Sequence, residues 1–204
     1  MSTRFQYTFD GAWYEYFSHP FNCGDSSSNR TERTVELSLA DYWLNHVSDV
    51  YEVGAVTPYY WPNRVKAVID PADSHGAVTS RTSLFENDFT GKNVLSISTV
   101  EHVGTGQYGI SESKNSIDAI IKLLNESNQC LITAPLGWNT ILDKYLLDGE
   151  YEQTGYTFRF MIRQSDDTWV PAERKNAYIR YGGGGNLSPW ANSLVFIEKG
   201  NILH

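Results

Sequence analysis

Three apolar runs, each closing on an acidic or small polar residue, constrain this chain most. They are Val50-Tyr-Glu-Val-Gly-Ala-Val56, Val68-Ile-Asp70 and Val94-Leu-Ser-Ile-Ser-Thr-Val-Glu-His102. A strand buried on both faces of a parallel sheet reads this way, with its working residue at the carboxyl end. In an open α/β sheet such ends converge on one crevice, and nucleotide-like ligands bind in that crevice. Asp70 follows Glu52 by 18 residues, which suits the second strand of a βαβ unit. An adenosyl or nucleotide cofactor is therefore expected at these strand ends.

The remaining pattern fills in the sheet. Strands are expected at 49–53, 65–69, 93–98 and 129–135, with a short one near 77–79 after Gly76. Pro58 and Pro62 interrupt Tyr59-Tyr-Trp-Pro-Asn63, so any helix after the first strand must be short or irregular. Helical spacing of apolar residues appears over 35–46 (Val35, Leu39, Tyr42, Trp43), 114–125 (Ile117, Ile120, Ile121, Leu124) and 139–148 (Ile141, Leu142, Tyr145, Leu146). Beyond these, Tyr156–Arg163 alternates in polarity and Ser193–Glu198 is apolar. Together they predict an antiparallel pair closing one edge of the sheet. Residues 1–36 read as an irregular, aromatic-rich cap, with Ser26-Ser-Ser-Asn29 as a turn and Gly182-Gly-Gly-Gly185 as a hairpin loop. The expected fold is thus one α/β domain over 1–204, with a cap and helix over 1–46 and a Rossmann-like core over 47–204.

Composition removes several classes. A net charge of -8 with scattered Lys and Arg disfavours a broad nucleic-acid surface, which needs clustered cations. No run approaches the ~18 apolar residues that cross a bilayer. The first ten residues lack the apolar core of a signal peptide, so cytoplasmic residence is the expectation. Cys23 and Cys130 are the two cysteines, far apart in sequence, and read as idle thiols rather than a disulfide or metal site.

The cofactor can be narrowed from the turn after the first strand. No Gly-Lys-Ser/Thr loop is present for a P-loop site. Nicotinamide and flavin sites need Gly-x-Gly-x-x-Gly so that a pyrophosphate can approach a helix N-terminus. Here Gly54 stands alone, followed by Val56, Pro58 and Tyr59. A cofactor without a diphosphate tolerates such a turn better.

Glu52-x-Gly54, Asp70 and Ser96-Ile-Ser-Thr-Val-Glu-His-Val-Gly104 resemble a class I S-adenosylmethionine-dependent methyltransferase. The likeness is to a bacterial and archaeal group found near glycan or natural-product genes. It extends to Tyr16-Phe-Ser-His-Pro-Phe-Asn22, Glu32-Arg-Thr-Val-Glu36, Thr133-Ala-Pro-Leu-Gly-Trp-Asn139 and Ala191-Asn192, and covers about residues 12 to 198. The resemblance implies a seven-stranded sheet with an antiparallel last strand. It further implies S-adenosylmethionine as cofactor, methylation of an oxygen on a small sugar or natural-product acceptor, the Glu52/Gly54 turn against the methionine part and Asp70 on the ribose hydroxyls. The chain departs from the pattern twice: the first turn lacks further glycines, and Ser80-Arg-Thr-Ser83 stands where an acid would meet the adenine. These departures keep two alternatives open, a catalytically inactive cofactor-binding module and a nicotinamide-dependent oxidoreductase.

Candidate site residues follow. Glu52, Gly54, Asp70 and Ser98 are expected at the cofactor. Asp70 precedes Pro71 and could equally form a turn. Glu101 and His102 are the catalytic candidates, with His102 as the base near neutral pH or as half of a structural Glu-His pair. Ser98 stands where related metal-binding members carry a glutamate, so no metal is expected. Tyr16, His19, Asn22, Arg33 and Asn139 are the acceptor candidates. His19 and Asn22 could instead stabilise a local turn. Arg33 could bind a carboxylate or simply pair with Glu36 along a helix face. No partner beyond a small acceptor is indicated.

Overall fold

A computed structural model describes residues 6–18, 31–109, 113–149, 155–182 and 190–203. The apolar runs do lie side by side. Strands β3 (Val50–Val53), β4 (Ala67–Ile69), β5 (Asn93–Ile97) and β6 (Gln129–Pro135) are parallel. They belong to a seven-stranded mixed sheet with β7 (Thr157–Arg163), β8 (Trp169–Ala172) and β9 (Ser193–Lys199), in the order β4-β3-β5-β6-β9-β7-β8.

The sheet is covered on both faces, which is why its central strands are apolar throughout. Along β6, Cys130, Ile132 and Ala134 pack toward helix α2 (Ser116–Glu126) and helix α3 (Thr140–Asp148), while Leu131 packs oppositely. That second face is covered by helix α1 (Glu32–His46), through Val35, Leu39 and Trp43, and by a hairpin of β1 (Gln6–Phe9) and β2 (Ala12–Glu15). Phe9 meets Phe196 of β9 at 5.1 Å, edge to face. The hairpin turns at Asp10-Gly11, with φ of 48° and 81°, the positive pair that a two-residue turn compatible with strand twist requires.

Several expectations need correction. The N-terminal cap is not irregular over the described residues: it is this hairpin and then α1, which begins at Glu32. No strand forms at 77–79. Only the single parallel bridge Ile69↔Ser80 remains: the Thr79 and Ser80 N–H groups both converge on the Val68 carbonyl, and the Val68 N–H is taken by Thr79 Oγ1 rather than by a backbone carbonyl. The antiparallel pair β7/β9 exists, but β9 lies inside the sheet between β6 and β7, and β8 forms the edge. Pro171 in β8 lacks an N–H and is tolerated at that edge. After β3 the chain makes only a 3₁₀ turn, Thr57–Tyr59, as the prolines dictate. Ser26–Asn29, Cys23 and Gly183–Gly185 lie outside the described residues. No helix among the described residues is long and apolar enough to cross a membrane.

Candidate functional site

The carboxyl ends of β3, β4 and β5 meet at one loop, residues 54–57, and two carboxylates organise it from opposite sides. Glu52 is fully buried beneath the loop. Its Oε1 accepts the N–H groups of Val56 (3.1 Å) and Thr57 (2.8 Å), and its Oε2 accepts the Thr57 hydroxyl. Asp70 Oδ2 accepts the N–H of Ala55 (3.0 Å). Three successive backbone donors are thereby taken by protein carboxylates. Burial pushes the Glu52 carboxyl up to about 7 despite these donors. Gly54 has φ +91° and a hypothetical Cβ there would lie 1.9 Å from Thr99 Oγ1, so the loop and the end of β5 touch where no side chain fits.

Above this loop opens a cavity of about 450 Å³. Ala55, Val56, Asp70, Ser98, Thr99 and His102 line it, with Arg33 and Asp73 at its sides. Asp70 Oδ1 accepts the N–H groups of Ala72 (2.8 Å) and Asp73 (2.9 Å), so Asp70 is both a turn former and a wall of the cavity. A carboxylate has about four acceptor positions. Three are used here, which leaves Asp70 room for one hydroxyl rather than the two of a ribose diol. Asp73, beside it, accepts from the Tyr59 hydroxyl at 3.1 and 3.0 Å and from the His75 N–H at 2.6 Å. The Arg81 guanidinium donates to the Asp73 carbonyl, so the residue that breaks the expected acidic position instead ties down this rim.

A second set of buried charges supports the β5 end. Glu36 of α1 is fully buried, and its Oε1 accepts the hydroxyls of Ser98 and Thr133, each at 2.6 Å. Its Oε2 pairs with Arg33 Nη1 at 3.2 Å. Ser98 has φ 42°, a strained backbone for a non-glycine residue, held by its N–H to the Thr133 carbonyl (3.0 Å) and its hydroxyl to Glu36. Such strain persists only where neighbours over-determine it, and it clusters at functional sites.

His102 follows on the 3₁₀ turn Val100–His102. Its Nδ1 lies 2.6 Å from the side-chain Oε1 of Gln107. With Oε1 as the acceptor, Nδ1 carries the hydrogen and Nε2 keeps the lone pair. Glu101 Oε1 lies 3.4 Å from Nε2. Burial, and less strongly the Arg33 charge, hold the His102 imidazole below its ordinary value. Burial drives the Glu101 carboxyl well up, with the Glu36 charge adding to it.

The structure therefore brings Asp70, Ser98, Arg33 and His102 to one cavity, with Glu52, Gly54 and Glu101 immediately behind its wall. It does not bring Asn139 or Tyr16 there. Asn139 caps α3: its Oδ1 accepts from Ile141 and Leu142 (both 3.1 Å), and its Nδ2 donates to the Glu101 carbonyl and Ser116 Oγ (both 2.8 Å). Those bonds use its side chain for fastening α3 to the 100–102 turn. The Tyr16 hydroxyl accepts the Trp169 N–H at 2.8 Å and so fastens the cap to β8. His19 and Asn22 lie outside the described residues. Sequence reasoning missed Glu36, Thr99, Asp73 and Gln107 as parts of the site. Glu36 carried a signal, an acid between the buried Val35 and Leu37. Among the described residues no group of three or more His, Cys, Asp or Glu side chains could hold a metal ion. Comparison of the chain with protein-family models, with curated proteins and with solved structures gave no match.

Proposed function

We propose that this chain transfers a methyl group from S-adenosylmethionine to a hydroxyl of a small acceptor. The observation that carries the reading is the loop at 55–57, whose three N–H groups are occupied by Glu52 and Asp70. A diphosphate cofactor needs such donors free and would meet two carboxylates instead. An adenosyl group without phosphates meets neither obstacle. The sheet is compatible in part: it has seven strands and the last, β9, is antiparallel to both neighbours, but β8 is reversed as well, where the resemblance implies a single reversed strand. The cavity at the strand ends lies where the crevice rule expects a cofactor.

The residues present fit that group. Asp70 would take one ribose hydroxyl and Asp73 is placed for the other, while Arg33 offers a cation to a carboxylate. When bound, the cofactor would supply a methyl on a positively charged sulfur, already activated toward a nucleophile. The protein's part is to align the acceptor, exclude water and remove the acceptor proton. His102 Nε2 would take that proton, with Gln107 Oε1 set on Nδ1 to hold the ring.

Calorimetry tests the reading. S-Adenosylmethionine and its demethylated product should bind, and reduced nicotinamide dinucleotide and ATP should not. Tight binding of either of these phosphate-bearing nucleotides would overturn it. Asp70→Asn should weaken S-adenosylmethionine by about 10–100-fold, the worth of one charge-assisted hydrogen bond. His102→Ala should leave cofactor binding nearly intact and slow transfer by about a hundredfold or more. Turnover should fall only at pH values below the usual histidine range, because burial depresses this imidazole. Gln107→Glu should move that acid limb upward by placing a carboxylate on Nδ1. A limb that stays put would remove His102 from the base role. A protein that binds the cofactor yet never turns over would support the inactive-module reading.

A further inference from the structure

Beside His102, which lines the cavity together with Tyr108, stands a group of aromatic rings. The imidazole meets the Tyr108 ring at 5.4 Å and 79°, and the Trp138 ring at 5.9 Å and 68°. Trp138 in turn meets Tyr181 at 5.3 Å. The rings come from three separate stretches: the segment after β5, the loop between β6 and α3, and the segment after β8. Tyr108 is 66% exposed and Trp138 42% exposed, although both are large and apolar-faced. Neighbouring exposed rings of this kind mark a binding surface more than scattered ones do.

These rings are fixed by backbone. Tyr108 has φ 60°, a conformation that bulky residues rarely adopt, between Gly106 and Gly109 at φ 74° and 73°. Trp138 follows Gly137, where a Cβ would come within 2.4 Å of the Ile179 carbonyl and 2.5 Å of the Tyr181 N. The loop carrying Trp138 thus lies backbone against backbone on the segment carrying Tyr181, with Tyr181 N donating to the Gly137 carbonyl at 3.4 Å. Rings held this way lose little freedom when a ligand arrives.

We propose that Tyr108 and Trp138 form the acceptor subsite, and that the acceptor is a ring-bearing hydroxyl compound whose flat, apolar face lies on them while its hydroxyl reaches His102. This rests on the methyl-transfer reading for the role of His102. The binding of the ring does not require the cofactor. Aromatic walls select a flat face. Such a face is offered by a phenol or by the C–H side of a pyranose, and an acyclic alcohol offers none.

The test uses the full chain, with phenol, methyl β-D-glucopyranoside and glycerol as separate probes. Binding is read from the tryptophan indole N–H resonances, the Trp138 signal being assigned by its loss in Trp138→Ala. At least one ring probe should shift that signal saturably, and glycerol should not. Tyr108→Ala and Trp138→Ala should each weaken the ring probe by about tenfold, read for the latter from the His102 ring resonances, and Trp138→Phe should restore most of the loss. Which ring probe binds decides between an aromatic and a sugar acceptor. Failure of both, or binding indifferent to both alanine variants, overturns the subsite. Calorimetry with S-adenosylhomocysteine on the same samples separates the two claims. Cofactor binding without ring binding removes the subsite alone, and ring binding without cofactor binding removes the methyl-transfer reading alone.

Discussion

Gly54→Ala should destabilise the protein by about 3 kcal/mol, among the largest effects available from a single methyl group. Two separate terms add. At φ +91° an alanine is held in a region that side-chain-bearing residues avoid, at a cost of roughly 1–3 kcal/mol. The new Cβ would also stand 1.9 Å from Thr99 Oγ1 and 2.8 Å from Thr99 Cβ. Thr99 cannot swing away freely, because its hydroxyl donates to the Ile97 carbonyl at 2.9 Å. Overpacking of this sort costs about 1–3 kcal/mol. Urea unfolding measures the sum, and the protein that remains folded should bind S-adenosylmethionine less tightly, since the displaced loop carries Ala55 and Val56 of the cavity wall. Thr99→Gly in the same background relieves the contact and leaves the dihedral strain. The double-mutant cycle should therefore show a favourable coupling of about 1–2 kcal/mol. A Gly54→Ala loss below about 1 kcal/mol would mean that the loop and the end of β5 do not approach as closely as the structure has them.

That contact illustrates what the sequence could and could not convey. The glycine was legible, because a lone Gly after an apolar run announces a turn. Its cause was not, since Thr99 lies 45 residues away and no local pattern pairs the two. The central strands were legible because each is buried on both faces: Leu95 and Ile97 point to α1 and the hairpin, and Val94 to α2. The place of β9 was harder. Its run from Ser193 is buried through Glu198, as an interior strand must be, and the reading that put it at an edge gave more weight to the alternation in β7 than to this uniformity. The hairpin carried an Asp10-Gly11 turn between residues of alternating burial, Tyr7 and Phe9 inward against Gln6 outward, a signal available in the sequence and overlooked. Asn139 shows the opposite error. An Asn immediately before a helical pattern is first of all a cap, and its four hydrogen bonds bear that out. Arg33 and Glu36 do pair along one helix face, as their spacing of three predicts. What the spacing does not reveal is that Glu36 is fully buried, because Ser98 and Thr133, 62 and 97 residues away, bring hydroxyls to it.

Those buried acids give the second large expectation: stability should fall as the pH rises from 5 to 8. Burial lifts Glu52 from 4.5 to about 7 and, with the Glu36 charge, lifts Glu32 to about 7. In the unfolded chain both would release their protons near 4.5. Between those two values the folded state binds more protons than the unfolded one, so each group's stabilisation is complete below 4.5 and is lost as the pH passes through about 7. For Glu52 the shift corresponds to about 3 kcal/mol. Glu101, raised well above its ordinary value by burial, adds to the loss across the same window. Asp143, lifted from 3.8 to about 6 by burial, contributes over the lower part of it. His102 works the other way. Its depressed value gives stability that is present above 6.5 and lost on acidification, but it is one group against several. Carboxylates held below their usual range, such as Glu126 beside Lys122, lose their contribution only below 4.5, outside the window. The urea midpoint should accordingly be highest near pH 5 and lowest near pH 8. Glu52→Gln should flatten the slope between pH 5 and 7, because the amide cannot titrate. A midpoint that climbs steadily from pH 5 to 8 would show that Glu52 is ionised throughout, held by its three donors rather than by its proton. The loop at 55–57 would then carry a full negative charge at neutral pH, and its aversion to a diphosphate would be stronger still.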